Sequence, residues 1–178
     1  MHVFRRVAAC LLLSVAAFSQ ETGRIFVVRH AEKQSNDQDT PLSSEGLARA
    51  NCLAQTLKDA HIGAAFVSQY QRTKQTAAPT VSEFHARETA IEAKATGQIV
   101  QAAREAAKTG NVLIVGHSNT VPDLLASFGA PAVTIPGNVY DQLFILDVAR
   151  PKQLLTLRYC PALPTDATAH PAGSMAKP

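Results

Sequence analysis

Short apolar runs alternate along the chain with stretches in which apolar residues recur at helical spacing. The runs predict strands over residues 24–28, 64–68, 89–93, 111–115, 142–148 and 154–159. Helical spacing is found in two sets of residues, the first being Leu47, Ala50, Leu53, Ala54 and Leu57 and the second Ile99, Ala102, Ala103, Ala106 and Ala107. Shorter helices are predicted over 73–84 and 121–128.

This alternation of strand and helix determines the fold class that we expect. It predicts an α/β three-layer sandwich, with a mostly parallel central sheet and helices on both of its faces. Arg150 and Pro151 separate the last two predicted strands. Because Pro favours a turn at this position, we expect these strands to form an antiparallel hairpin at one edge of the sheet.

The two ends of the chain differ from this pattern. Residues 1–20 combine the basic pair Arg5 and Arg6 with an apolar run over 7–18 and small residues behind it, so they predict a signal peptide and a periplasmic or secreted protein. A retained anchor is disfavoured because the run falls short of the roughly 20 residues that a spanning helix needs. We therefore expect no stable membrane insertion after cleavage. The Pro- and Ala-rich residues 161–178 predict a disordered tail.

Composition indicates that residues 21–160 form one domain. Of 178 residues, 46% are hydrophobic and 17% charged, which suits a soluble domain with a sizeable core. The net charge of +3 includes two arginines of the predicted signal peptide, and no basic stripe indicates a nucleic acid partner. Outside that peptide lie Cys52 and Cys160, which an oxidising compartment would allow to pair. The sequence leaves open whether they pair or remain separate thiols.

Cationic and imidazole side chains follow three of the predicted strands. Arg29 and His30 end the first strand, Arg72 begins the helix after the second, and His117 follows the fourth. In a parallel α/β sheet such residues meet beyond the carboxyl ends of the strands. We therefore expect these four side chains to share one pocket.

A tetrahedral oxyanion is the ligand that suits this pocket. Arginine offers forked donors that match phosphate oxygens, and helix N-termini near Arg72 and Ser118 add amide donors. Asn36, in the loop after the first strand, is a further candidate for binding a phosphate oxygen. Since these motifs supply no set of carboxylate or thiolate ligands, we expect no metal and no cofactor. A neutral imidazole such as that of His30 can attack phosphorus.

Four motifs in sequence order strengthen this interpretation. They are R-H-A-E at 29–32, D-x-P-L-S-x-x-G at 39–46, S-x-Y-x-R-T-x-Q-T-A at 68–77 and G-H-S-N at 116–119. With them the chain resembles the histidine phosphatase superfamily, also called the phosphoglycerate mutase-like family. Ala31 stands where the family usually has Gly. The resemblance extends from residue 24 to about residue 148.

The resemblance implies specific roles. His30 would be the nucleophile that becomes phosphorylated, while Arg29, Arg72 and His117 would hold the phosphoryl oxygens and stabilise the transition state. In many members of the family a Glu after the third strand protonates the leaving group. Glu92 is the nearest match here, with Glu88 as an alternative.

Three functions remain open at this point. The first is an exported phosphomonoester hydrolase that acts on a phosphorylated small molecule or a phosphoprotein. The second is a protein phosphohistidine phosphatase or phosphoryl-transfer protein, which the predicted signal peptide disfavours because phosphorelay proteins work in the cytoplasm. The third is a non-catalytic phosphate-binding module, which the presence of His30 disfavours. The sequence does not indicate the substrate.

Overall fold

Strands and helices alternate through most of the chain. The computed structural model describes residues 23–160, so the predicted signal peptide and the predicted tail lie outside the described residues. The elements, in chain order, are β1 (Arg24–Arg29), α1 (Ser44–Thr56), β2 (Ile62–Val67), α2 (Gln71–Phe84), β3 (Arg87–Ala90), α3 (Thr96–Ala106), β4 (Asn111–Gly116), α4 (Thr120–Phe128), β5 (Gln142–Asp147) and β6 (Leu155–Arg158).

One six-stranded sheet organises these elements, with the strand order β3-β2-β4-β1-β5-β6. The pairs β3–β2, β2–β4 and β4–β1 are parallel, while β5 runs antiparallel to both β1 and β6. The predicted fold class is confirmed, and so is the antiparallel hairpin at one edge of the sheet. The four parallel strands therefore direct their carboxyl ends to the same side of the sheet.

The helices cover the sheet on both faces, and β1 shows why. Side chains alternate across a strand. Ile25 and Val27 pack in a cluster with residues of α3 and α4, whereas Phe26 and Val28 pack with residues of α1 and α2. Because both faces of β1 are covered, every residue from Ile25 to Arg29 is buried, which explains the continuous apolar run in the sequence.

The third strand differs from its prediction. The structure ends β3 at Ala90, whereas the apolar pattern predicts a strand over 89–93. Ile91 N still donates to the carbonyl of Val67 in β2, but the backbone then leaves the ladder, since Ala93 N donates to the side-chain oxygen of Gln69 and Ala95 N donates to the carbonyl of Glu92. An apolar run indicates that residues are buried, but it does not show that they pair in a sheet. Ala93, for example, is buried although it does not lie in a strand. Glu92 consequently lies in a turn beyond the strand end.

The two cysteines that the sequence leaves open form a disulfide in the structure. Cys52 lies in α1 and Cys160 follows β6, with their Cα atoms 6.4 Å apart and a separation of 108 positions in sequence. The bond ties the edge hairpin to the helix layer beside it. Within residues 23–160, no helix is both long and apolar enough to cross a membrane.

Candidate active site

His30 and His117 follow two neighbouring strands at the carboxyl edge of the sheet. Arg29 in β1 is in register with Gly116 in β4, and His30 N donates to the carbonyl of Gly116 at 2.9 Å. The two imidazole rings face each other edge to face, with their centroids 5.2 Å apart. The parallel pairing of β1 and β4 therefore brings together residues that lie far apart in the sequence.

Gly116 and Thr120 hold His117 in position. A side chain at Gly116 would stand 2.9 Å from the Cγ2 atom of Val121, so glycine allows α4 to begin directly over the strand end. The hydroxyl oxygen of Thr120 accepts a hydrogen bond from His117 N at 3.0 Å. The backbone of His117 is thus fixed from both sides.

The ring of His30 has a defined tautomer. Its Nδ1 atom lies 2.7 Å from the carbonyl oxygen of Ala31. Since a carbonyl can only accept, Nδ1 carries the proton and Nε2 carries the lone pair. Burial lowers the pKa of His30 to about 3 against the opposing effect of the Ala31 carbonyl, and the positive charges of neighbouring groups act in the same direction as burial. His30 is therefore a neutral imidazole with a basic Nε2.

The ring of His117 is engaged through its other nitrogen. Its Nε2 atom lies 3.0 Å from Ser68 Oγ, which in turn lies 2.9 Å from the hydroxyl of Thr73 in the first turn of α2. Nδ1 is therefore the ring nitrogen left for other partners. Burial lowers the pKa of His117 to about 4, and the charges of Arg72 and Arg29 lower it further. His117 is thus also neutral near pH 7.

Arg29 is buried between backbone carbonyls and an aromatic ring. Its Nη1 atom lies 2.9 Å from the carbonyls of Gly137 and Val139 and 3.2 Å from that of Pro136. The guanidinium carbon stands 3.9 Å from the centroid of the Tyr140 ring. Its Nε is buried without a hydrogen-bond partner. Burial lowers the pKa of Arg29, although Tyr140 and Glu32 oppose this shift.

Arg72 repeats this arrangement from another part of the chain. Its Nη1 donates to the carbonyl of Gln38 at 2.8 Å, and its guanidinium carbon lies 4.2 Å from the centroid of the Tyr70 ring. Its Nε, too, is buried without a partner. Burial lowers the pKa of Arg72, with Tyr70 and Asp39 acting in the opposite direction. Both arginines therefore retain N–H donors that no protein group satisfies.

Other motif residues support the loop that follows His30. Ala31 N donates to the hydroxyl of Thr76 at 3.0 Å, and Leu42 N donates to the side-chain oxygen of Gln75 at 2.7 Å. A side chain at Gly46 would collide with the carbonyl of Glu32, so glycine allows α1 to begin against this loop. These hydrogen bonds and close packing contacts explain why the motifs contain small and hydroxyl residues.

Asp39 and Ser43 serve as helix caps in the same region. A carboxylate oxygen of Asp39 accepts from Gln71 N at 2.8 Å at the start of α2, and this hydrogen bond lowers the pKa of Asp39. Ser43 Oγ accepts from Gly46 N at 3.1 Å and thereby caps α1. Both caps fix the helix ends that border the site.

The acid Glu32, two residues after His30, has a partner of its own. Its carboxylate accepts from Arg49 Nε at 2.7 and 2.9 Å and lies 2.6 Å from Arg49 Nη2. Arg49 Nη1 donates to the carbonyl of Cys160 at 3.0 Å. Burial alone would lower the pKa of Arg49, but the hydrogen bonds and charge of Glu32 outweigh it and raise that pKa. This ion pair connects the site strand to the disulfide.

A cavity of about 510 Å³ opens over these side chains. It is lined by Arg29, His30, Lys33, Gln69, Tyr70, Arg72, Glu92, Ala93, Lys94, His117, Ser118, Asn119 and Thr120. Of the residues predicted for the site, the structure brings Arg29, His30, Arg72, His117, Glu92 and Ser118 to one cavity. Glu92 is the one carboxylate among the described residues that line it.

Two other candidates lie elsewhere. Asn36 is exposed and is not among the lining residues, and its side-chain oxygen lies 3.5 Å from Lys33 Nζ. Glu88 belongs to β3, is exposed and does not line the cavity. The structure therefore favours Glu92 over Glu88 as the acidic group near a bound ligand.

Sequence reasoning assigned no role to several residues that the structure places at the site. Ser68 and Tyr70 lie inside the motif that contains Arg72, so that motif was a signal for them. Tyr140 lies 111 residues after Arg29 and belongs to no motif, and its stacking on Arg29 follows from the tertiary structure alone. Lys33 and Lys94 line the cavity without any signal beyond their charge.

The groups in the cavity are arranged to hold an anion. Two guanidiniums with unpartnered N–H donors flank two neutral imidazoles. A phosphate dianion placed among them would meet forked donors and a nucleophilic nitrogen within a partly desolvated site. Within residues 23–160, no group of three or more His, Cys, Asp or Glu side chains is placed to hold a metal ion.

Comparison with known proteins gives a family match and several similar folds. The family model described as the histidine phosphatase superfamily (branch 1) matches residues 25–96, a range that contains Arg29, His30, Arg72 and Glu92. His117 lies beyond the matched residues. No curated protein sequence is significantly similar to this chain.

Three solved structures illustrate the similarity of fold. The protein histidine phosphatase SixA complexed with tungstate is 18% identical with a TM-score of 0.57, covering 76% of this chain and 95% of that protein. YhfR of Bacillus stearothermophilus is 17% identical with a TM-score of 0.59, covering 70% and 91%. The alpha-ribazole phosphatase of Shigella flexneri is 18% identical with a TM-score of 0.58, covering 70% and 90%.

Proposed function

Because residues 25–96 match the family model of the histidine phosphatase superfamily, we propose that this chain hydrolyses phosphomonoesters through a phosphohistidine intermediate on His30. The observation that carries this proposal is the state of the His30 ring. Its Nδ1 is bound to the Ala31 carbonyl, and its Nε2 is unprotonated inside a cavity lined by the buried Arg29 and the partly buried Arg72. A neutral nucleophile next to fixed cations is what attack on a phosphate dianion requires.

Phosphoryl transfer to the enzyme is the first step. The substrate phosphate binds with its oxygens near Arg29, Arg72 and His117, and the Nε2 lone pair of His30 forms a bond to phosphorus. The bond between phosphorus and the leaving-group oxygen breaks, and that oxygen takes a proton from Glu92. The phosphorylated ring gains positive charge, which the hydrogen bond from Nδ1 to the Ala31 carbonyl stabilises.

Hydrolysis of the intermediate is the second step. A water molecule attacks the phosphorus atom while Glu92, now a carboxylate, accepts a proton from it. The bond between phosphorus and Nε2 breaks, its electron pair returns to His30, and phosphate leaves. Glu92 suits both steps because it is exposed at the cavity wall, where leaving group and water enter. Ser118 borders the same cavity and is proposed to bind a phosphate oxygen.

The test is to trap the intermediate. The protein is mixed briefly with para-nitrophenyl phosphate and quenched in alkali, because phosphate on a histidine nitrogen persists in alkali and is lost in acid. Mass spectrometry should find the added phosphoryl group on the peptide that contains His30. His30→Ala should lose both this adduct and turnover. An adduct on His117, or near-normal turnover of His30→Ala, would refute the assignment.

His85→Asn is the matched control. His85 is an exposed histidine outside the cavity, and its backbone is left-handed with φ of 50°, a conformation that asparagine tolerates. This variant should keep both the adduct and turnover. If the wild-type protein binds para-nitrophenyl phosphate without releasing nitrophenol, the non-catalytic phosphate-binding module becomes the better description.

Dephosphorylation of protein phosphohistidine is a second candidate. The loops that border the cavity, residues 33–42 and 91–95, are short, so a side chain on a protein surface has access to it. The similar fold of the protein histidine phosphatase SixA adds support. Comparison of kcat/KM for a phosphohistidine peptide and for a phosphoserine peptide of the same sequence distinguishes the two candidates, with the larger value identifying the substrate class.

Export of the protein is part of this proposal. The basic and apolar pattern of residues 1–20 supports it. A disulfide between Cys52 and Cys160 also supports it, since structural disulfides persist mainly in oxidising compartments. N-terminal sequencing of the protein from its native host should give a start near Gln20 or Glu21, and a mature protein that retains Met1 would contradict cleavage.

A further inference from the structure

The cavity carries more positive charge than a phosphomonoester neutralises. Its lining contains four cationic side chains, Arg29, Arg72, Lys33 and Lys94, against the single carboxylate of Glu92. With both histidines neutral, the balance is three positive charges when Glu92 is a carboxylate and four when Glu92 holds the proton for the leaving group. A phosphomonoester dianion supplies two negative charges, so the bound state would still hold an excess of positive charge.

The two lysines account for this excess. Neither takes part in a salt bridge within residues 23–160. Lys33 Nζ lies 3.5 Å from the neutral oxygen of Asn36, and Lys33 is half-buried rather than fully exposed. The arginines already form the phosphate end of the site, so these two ammonium groups are available to another part of the substrate.

Their positions in the fold place them on different sides of the cavity. Lys33 lies in the loop after β1, and Lys94 lies in the loop after β3. In the sheet β1 and β3 are separated by β4 and β2, whose carboxyl ends carry His117 and lead to Arg72. The lysines therefore lie on either side of the residues that would bind the phosphate and are not among those residues. Lys94 is also two residues from Glu92. It therefore lies on the side of the cavity from which the proposed leaving group departs.

We propose that Lys33 and Lys94 form a second anionic subsite, and that the substrate is a phosphomonoester whose leaving group carries at least one further negative charge, such as a carboxylate or a second phosphate. This inference rests on the proposed phosphomonoesterase activity. A backbone hydrogen bond from Ala93 to Gln69 anchors the turn that carries Lys94, so its position relative to β2 is fixed. Lys33 is half-buried and Lys94 is exposed, and both extend from anchored backbone, so their ammonium groups can select for charge outside the phosphate.

Two matched substrates test this subsite. 4-Carboxyphenyl phosphate carries the additional charge, whereas 4-carbamoylphenyl phosphate has nearly the same shape, no charge and an intrinsically somewhat better leaving group, so a preference for the charged substrate cannot come from the leaving group. The ratio of kcat/KM for the charged to the neutral substrate should be about fivefold to tenfold in the wild-type protein, the size expected of one or two partly exposed ion pairs. The ratio should fall towards one in the double variant Lys33→Gln/Lys94→Gln.

Lys74→Gln is the control, because Lys74 is an exposed lysine of α2 that does not line the cavity, and it should keep the wild-type ratio. If the lysines merely steer any dianion towards the cavity, the double variant will lower kcat/KM for both substrates equally and leave the ratio unchanged. That result, or a wild-type ratio near one, would overturn the subsite. Failure of the proposed function is a different result, namely no hydrolysis of either substrate.

Discussion

Arg29 and Arg49 are buried to almost the same extent, 7% and 6% exposed, yet their guanidiniums have opposite environments. The Nε of Arg49 donates to both carboxylate oxygens of Glu32. The Nε of Arg29 has no partner, and its Nη1 contacts neutral carbonyls. Burial lowers the pKa of Arg29, whereas Glu32 reverses that effect at Arg49 and raises its pKa.

The difference separates a structural charge from one available to a ligand. A buried charge is costly unless it is paired. Arg49 is paired within the protein and supports the fold near the disulfide, while Arg29 and Arg72 hold their charge without a carboxylate partner and with unused donors. The second arrangement costs stability and is the one that the proposed phosphate site requires. Burial alone does not distinguish the two kinds of arginine, but their partners do.

The largest effect is expected where the internal pair is broken. Arg49→Met leaves the carboxylate of Glu32 buried without its partner, and breaking a buried pair costs roughly 3–5 kcal/mol. Urea unfolding measures this loss. The double variant Glu32→Gln/Arg49→Met removes both charges and should recover much of it. A loss below about 1 kcal/mol in the single variant would show that the pair contributes no more than surface ion pairs do.

The opposite pattern is expected for an arginine of the site. Arg72→Met should lower kcat by about 10²–10³, since one donor to the transition state contributes roughly 2.7–4 kcal/mol. Its unfolding free energy should stay the same or rise slightly, because removing a desolvated charge without an ionic partner relieves the cost of burying it. Arg104→Met is the control: Arg104 stacks on the Phe128 ring and donates to the Phe128 carbonyl but lies outside the cavity. Equal kcat losses in both variants would contradict the distinction.

A smaller effect is expected for the partner of His117. Ser68→Ala removes the hydroxyl that engages Nε2, so the ring loses the hydrogen bond that fixes its orientation. Groups that orient metal-binding imidazoles contribute about 10–100-fold, and we expect an effect of that size here. Steady-state kinetics should show that decrease in kcat, and ¹⁵N NMR of the histidine rings should show a changed Nε2 signal for His117. Ser82→Ala, on the exposed side of α2, should change neither; an unaltered NMR signal in Ser68→Ala would exclude the orienting role.

The smallest effect concerns pH. In the folded protein the pKa of His30 is about 3 and that of His117 about 4, whereas an unfolded histidine titrates near 6.5. Between these values the unfolded chain binds more protons, so stability is full above pH 6.5 and falls as the pH drops towards 4. Each histidine contributes a slope of at most about 1.4 kcal/mol per pH unit.

Urea unfolding at pH 7.5 and pH 5 measures this slope. His117→Gln should lose less stability over that interval than the wild-type protein. His85→Asn, which replaces an exposed histidine outside the cavity, should match the wild-type protein. Equal pH dependence in all three proteins would contradict the low pKa of His117 in the folded state.

Much of the architecture could be predicted from local pattern. The runs around Val27 and Ile114 are apolar without alternation because helices cover both faces of these strands. The alternation of such runs with helical patterns predicted the mostly parallel sheet. The superfamily predicted from the four motifs agrees with the family model that matches residues 25–96. The clustering of Arg29, His30, Arg72 and His117 followed from one rule about strand ends, and the structure brings these side chains to one cavity.

The sequence by itself determined which residue types stand at the strand ends, because the spacing of apolar residues predicts where strands and helices lie. Tertiary structure alone decided which groups meet across the chain: the ring of Tyr140 under Arg29, the pairing of Glu32 with Arg49, and the disulfide of Cys160. These contacts join residues 17 to 111 positions apart. Local spacing carries no information about such distances, since they depend on how strands order in the sheet and on which helices pack against them.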